Sequence, residues 1–111
     1  LNLGFFGAST GAAAALQAAA ALGAPVKAVV SRGGRPDLAG AQALRSVRAP
    51  TLLIVGGHDY GVIELNEDAY AQLTCAKELK IVPGATHLFE EPGTLEAAAS
   101  AAAAWFQRYC V

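Results

Sequence analysis

Apolar residues fall in short runs separated by glycine, proline or charge, and the runs alternate between strand-like and helix-like patterns. Residues 1–6 form a brief apolar run ended by Gly7, too short for a helix and suited to a buried strand. Residues 11–22 are dominated by alanine and stop at Gly23 with Pro25 beyond, which predicts a helix. Residues 26–30 are β-branched and predict a second strand. The following stretch, 32–37, reads as a loop in which Asp37 caps a short helix running to about Val47. Residues 51–55 predict a third strand, stopped by Gly56-Gly57. Ala69, Tyr70 and Leu73 recur at helical spacing and predict a helix over 66–74. A fourth strand is expected over 79–82. A last amphipathic helix is expected over 94–109, with Leu95, Ala98, Ala102, Trp105, Phe106 and Tyr109 on or near one face.

Strands alternating with helices at this spacing predict a parallel sheet covered on both faces, because parallel neighbours need a crossover between them. The fold class expected is therefore α/β, a three-layer sandwich around a short parallel sheet of about four strands. An all-apolar first strand is an uncomfortable sheet edge, since edges usually carry charge or are covered. The strand from Leu1 to Phe6 is accordingly expected to be covered, either by preceding strands or by a second copy in a homodimer.

Composition sharpens this picture. The 111 residues are 54% apolar and 15% charged, enough for one compact unit burying roughly two-thirds of its unfolded surface. A formal net charge of −1 with scattered Lys and Arg gives no basic stripe, which argues against nucleic acid as a partner. No apolar run reaches the roughly 18 residues of a membrane span, and no basic leader precedes an apolar stretch. Cys75 and Cys110 are 35 residues apart and match no metal or redox spacing, so two free thiols of a cytoplasmic protein are expected. There is no Met, and the chain opens Leu1-Asn2-Leu3; both predict a fragment, a trimmed chain or a tag-fused product, with a single partial domain over 1–111.

The sharpest chemical signal is Gly7-Ala8-Ser9-Thr10-Gly11, where the first strand meets the first helix. A serine on a tight strand-to-helix turn adopts a strained backbone and raises its hydroxyl above the sheet. Glycines two before and two after are expected to be needed where strand and helix close together. The competing reading makes Ser9 a helix N-cap. Asp59 follows the third strand and His87 the fourth, both at the carboxyl edge where open α/β sheets place ligands. Imidazole there takes a serine proton, and the carboxylate fixes its tautomer. Glu64 and Asp68 are alternatives to Asp59. His58 beside Asp59 is too little for a metal site, and none is expected. Arg32 and Arg35 flank Gly33-Gly34 and are weak candidates for an anionic substrate group. Trp105 and Phe106 read as core packing.

These residues resemble the α/β-hydrolase superfamily, most closely its dienelactone-hydrolase-like branch. The resemblance runs through Phe6-Gly7-Ala8-Ser9-Thr10-Gly11, Ser31-Arg32-Gly33-Gly34-Arg35-Pro36-Asp37-Leu38, residues 49–59, and Pro83-Gly84-Ala85-Thr86-His87-Leu88-Phe89. It implies that Ser9 is a nucleophile, Asp59 the acid, His87 the base and Thr10 an oxyanion-hole N–H donor. It also implies a half-length hydrolase fold, beginning at the strand before the nucleophile and lacking the loop that gives the second oxyanion donor. Losing one such donor costs roughly 100- to 1000-fold in turnover. Dienelactone hydrolases proper use cysteine where this chain has Ser9, so their substrate is not implied. The function expected is cofactor-free hydrolysis of small soluble esters through an acyl-enzyme. The alternative is a catalytically impaired module that oligomerises or binds.

Overall fold

The computed structural model describes residues 2–110. Nine elements follow one another: β1 (Leu3–Ala8), α1 (Thr10–Leu22), β2 (Val26–Arg32), a 3₁₀ turn (Pro36–Ala39), α2 (Ala41–Ser46), β3 (Thr51–Gly56), α3 (Tyr60–Gln72), β4 (Lys77–Val82) and α4 (Thr94–Tyr109). The four strands pair in parallel in the order β1-β2-β3-β4. Each step moves to the next position in the same direction. Right-handed crossovers therefore put α1, α2 and α3 on one face of the sheet.

The two apolar clusters show that arrangement. Leu16, Leu44, Ala69 and Leu73 pack with Val26, Val29 and Leu53 on the crossover face. Ala98, Ala102 and Trp105 of α4 pack with Ala28, Val30, Leu52 and Ile54 on the other. The fold is a three-layer α/β sandwich with a four-stranded parallel sheet. Strand β3 is central and buried at every position, so it reads as a continuous apolar run. Trp105 Nε1 donates to the Pro50 carbonyl at 3.1 Å, fixing α4 against the start of β3.

Several boundaries differ from expectation for identifiable reasons. The first strand runs to Ala8, and Leu1 lies outside the described residues. Helix α3 begins at Tyr60, six residues before the expected start, because Gly61 and the β-branched Val62 and Ile63 disguise its first turns. The expected helix from Asp37 to Val47 is two pieces broken at Gly40, whose φ is 89°. Asp37 does not cap it: its carboxylate binds Arg35 instead. Leu95, expected on the buried face of α4, is exposed. Trp105 is buried and Phe106 packs partly buried beside it. Cys75 and Cys110 are free and half-buried.

Strand β1 occupies one edge of the sheet, and Phe6 is 52% exposed there. Glycine and alanine line the neighbouring groove between β1 and α1, at Gly4, Gly11, Ala14, Ala15 and Ala18. Among the described residues, no helix is long and apolar enough to cross a membrane.

Candidate active site

Ser9 stands between the last residue of β1 and the first of α1, at φ 50° and ψ −127°. A non-glycine residue in this region costs about 1–3 kcal/mol and persists only when its surroundings over-determine it. Gly7 is one of those surroundings. A Cβ there would stand 2.5 Å from the Gly11 carbonyl oxygen and 2.7 Å from the Ala12 backbone nitrogen, so α1 can start this close to β1 only above a glycine. Gly11 behaves differently from expectation: a Cβ there would meet nothing within 4 Å. Only the first of the two glycines is required by the described residues, because Gly11 faces the open groove beside β1.

Asp59 and His87 come from loops after β3 and β4, and the sheet places β4 at the far edge from β1. The loop after β4 bridges this gap by folding back across the strand ends. It passes so close over β3 that a Cβ on Gly56 would lie 2.5 Å from the Ala85 oxygen and 2.8 Å from the Thr86 oxygen. Over β2 it nearly touches Gly33, where a Cβ would lie 3.1 Å from the His87 oxygen. The His58 N–H donates to the Ala85 carbonyl at 2.9 Å, tying this loop to the one that carries Asp59. Buried Ala85 and Phe89 anchor it from below, and Phe89 adopts φ 55° to turn the chain beneath His87.

The loop delivers the imidazole between two partners. His87 Nδ1 lies 2.7 Å from Asp59 Oδ2, and His87 Nε2 lies 3.2 Å from Ser9 Oγ. With Nδ1–H donating to the carboxylate, Nε2 is left as an acceptor for the serine hydroxyl. Asp59 is the less exposed of the pair, with its side chain 14% accessible against 39% for His87. Glu64 and Asp68, the alternatives for the acid, are exposed on α3, and neither bonds His87. Thr10 opens α1, and first-turn N–H groups of a helix have no partner inside it.

Glu91 holds the histidine loop from its other side. Its carboxylate accepts from the Thr86 hydroxyl at 2.6 Å and from the Thr86 N–H at 3.0 Å. Those bonds, the hydroxyl's first, hold the Glu91 carboxyl below the ordinary carboxylate range. Arg35 makes a two-pronged contact with Asp37, at 3.0 and 2.9 Å, and this lowers the Asp37 carboxyl in turn. Its guanidinium is thus engaged, whereas Arg32 lies over the Phe89 ring at 5.4 Å beside the histidine loop. His58 stacks on Tyr60. Among the described residues, no cluster of three or more His, Cys, Asp or Glu is positioned to hold a metal.

Sequence reasoning named Ser9, Asp59 and His87, which the fold brings together, but missed Glu91 and the buried Asn66 of α3. Asn66 did carry a signal, a lone polar residue at i, i+3, i+4 and i+7 with Ala69, Tyr70 and Leu73.

No family model matches the chain. It is 64% identical over 106 residues to a provisionally named phosphoribosyl transferase of Mycobacterium tuberculosis, a match that covers 96% of this chain and 24% of that protein. Among solved structures, dienelactone hydrolase from Anabaena variabilis is 60% identical with a TM-score of 0.97, covering 100% of this chain and 51% of that one. The esterase domain of a Rhodothermus marinus protein, at 21% identity and a TM-score of 0.86, shares the fold over 97% of this chain and 62% of its own. The chain therefore spans about half the length of the solved dienelactone hydrolase and about a quarter of the mycobacterial relative.

Proposed function

We propose that this chain, which resembles the dienelactone-hydrolase-like α/β-hydrolases in sequence and fold over about half their length, carries out serine ester hydrolysis. The observation that supports this most is the run of contacts from Ser9 Oγ to His87 Nε2 and from His87 Nδ1 to Asp59 Oδ2. In the proposed reaction Ser9 Oγ bonds to the acyl carbon while His87 Nε2 takes the hydroxyl proton. The negative charge forming on the carbonyl oxygen is met by the N–H of Thr10 at the head of α1. His87 then returns the proton to the departing alkoxide, leaving an acyl-Ser9 and a free alcohol. Water attacks the acyl carbon with His87 again taking a proton, and the carboxylic acid leaves as Ser9 regains its own. Asp59 keeps the imidazole in the tautomer that both half-reactions need.

Small soluble esters are the substrate class proposed, with no cofactor. Tyr60 and Leu88 follow Asp59 and His87 directly and are exposed, which supplies apolar surface for an acyl group at the rim. Arg32 is the better placed of the two arginines for an anionic substituent, since Arg35 is bound to Asp37. The mycobacterial relative's name adds nothing to this chemistry, because the match covers so little of that protein.

A second reading is favoured by the exposed β1 edge with Phe6 and the open groove at Gly11. In it the chain is a binding or oligomerising module, a homodimer through β1 included, whose three polar residues do no work. The comparison of p-nitrophenyl acetate hydrolysis by the chain and by Ser9→Ala separates the two. Activity lost in the variant, with labelling of Ser9 by a fluorophosphonate, supports the hydrolase. Equal rates and no labelling refute it.

A further inference from the structure

We infer that Asn66, on the far side of the sheet's crossover layer from the solvent, is a positioning residue for the Ser9 turn. The inference rests on the reading of Ser9 as a nucleophile. Asn66 is 0% exposed, and its side-chain amide spends both protons. One goes to the Val62 carbonyl of its own helix at 2.8 Å, the other to the Gly34 carbonyl at 3.2 Å. The Gly34 carbonyl and the Arg35 N–H are opposite ends of one planar peptide. That N–H donates to the Ser9 carbonyl at 2.9 Å, which also accepts from the Ala12 N–H at 3.3 Å. Holding one end of the peptide fixes where the other points, and polarises both bonds in the same sense. Asn66 thereby reaches the carbonyl whose orientation defines the unusual ψ of Ser9.

Two features make this peptide a rigid link. Gly34 is wedged between β2 and α1, so that a Cβ there would collide with Ser31 Oγ and with Ala12 Cβ. The Arg35–Asp37 contact then pins the chain immediately after it. The asparagine is an exception on this helix face. Its Oδ1 is buried without a partner among the described residues, a cost carried beside the bond that its amide donates to the Gly34 carbonyl.

The test compares Asn66→Leu, and the isosteric Asn66→Asp should the first fail to fold, with Ser31→Ala. Ser31 is a suitable reference because its buried hydroxyl also lies at Gly34 but has no partner. Two quantities are read per folded molecule: fluorophosphonate labelling of Ser9, and hydrogen-exchange protection of the Arg35 amide. The Gly57 amide, bonded to Val82, is the internal standard for exchange. Labelling in the Asn66 variant should slow by between about tenfold and about a hundredfold, with kcat/KM for p-nitrophenyl acetate falling by a similar factor, since misplacement falls on the attacking group. Arg35 protection should fall while Gly57 holds, and Ser31→Ala should change neither. Unchanged labelling, or slowed labelling with Arg35 still protected, overturns the inference. Absence of labelling in the unmodified chain overturns the hydrolase reading and the catalytic half of this one, while the exchange comparison still decides whether Asn66 holds the turn.

Discussion

If the proposed reaction holds, replacing Gly56 by alanine should disable it without touching any residue assigned a role in it. The added Cβ would stand 2.5 Å from the Ala85 oxygen and 2.8 Å from the Thr86 oxygen, both main-chain atoms of the histidine loop. Carbon–oxygen contacts of this kind settle near 3.3–3.6 Å, so the loop has to rise by about 0.8 Å or more. The Ser9–His87 contact is already 3.2 Å, and a lift of that size carries it to about 4 Å, beyond hydrogen-bond reach. General-base assistance is worth about 10²- to 10⁴-fold, so acylation of Gly56→Ala should fall by at least a hundredfold. Overpacking of this kind costs about 1–3 kcal/mol of stability, which lowers the melting temperature without abolishing the fold. The assay is the initial rate of p-nitrophenol release set against the Ser9→Ala background, with melting followed in parallel. Gly61→Ala is the control: nothing lies within 4 Å of its Cβ, and a helical alanine should gain up to about 1 kcal/mol with the rate unaltered. A Gly56→Ala protein that is acylated at the original rate would refute the claim that the loop's height over β3 sets the geometry of His87.

Three further outcomes follow from contacts already described. Arg35→Ala removes an ion pair whose arginine is about a third exposed, so urea denaturation should show only a slight loss of stability; acylation should hold, because Gly34 stays wedged between β2 and α1 and the bond to Ser9 comes from the main-chain N–H that alanine keeps. Glu91 is held below its ordinary range in the folded chain, so its stabilisation is fully present above that range and disappears as the pH falls through the lowered value. Glu91→Gln should therefore flatten the acid limb of urea midpoint against pH; an unaltered limb would count against Glu91 as a clamp on the histidine loop. Trp105→Phe gives up one hydrogen bond to Pro50 and should lower the unfolding free energy by about 1 kcal/mol or somewhat more in a urea titration, with acylation unaffected.

The site's three polar residues were legible because each follows a strand, and in a parallel sheet every strand ends at the same edge. Residue order alone placed Ser9, Asp59 and His87 together. Nothing in that order revealed how the last of them crosses the whole sheet to meet the first. The crossing depends on the missing side chain of Gly56, and a glycine after an apolar run reads equally well as a plain strand terminator. The start of α3 was hidden because Gly61, Val62 and Ile63 are poor helix formers whose placement is decided by packing. Gly11 shows the opposite error: the motif suggested a steric need that the described residues do not impose. Asn66 was visible as an oddity on an apolar face, but its partner, a main-chain carbonyl 32 residues earlier, depends on tertiary geometry.

The order of the sheet also bears on how the chain comes to be folded. Every strand pairs only with its neighbours in sequence, so the scaffold can be assembled by closing one crossover after another, a less costly route than in parallel sheets whose neighbours lie further apart along the chain. The Ser9–His87 contact spans 78 residues and can close only after all three crossovers are in place and the final loop has settled. On the proposed reading, reactivity at Ser9 belongs to the completed molecule alone. A serine-directed probe added during refolding would count finished chains, while amide protection in β3 would register those still on the way.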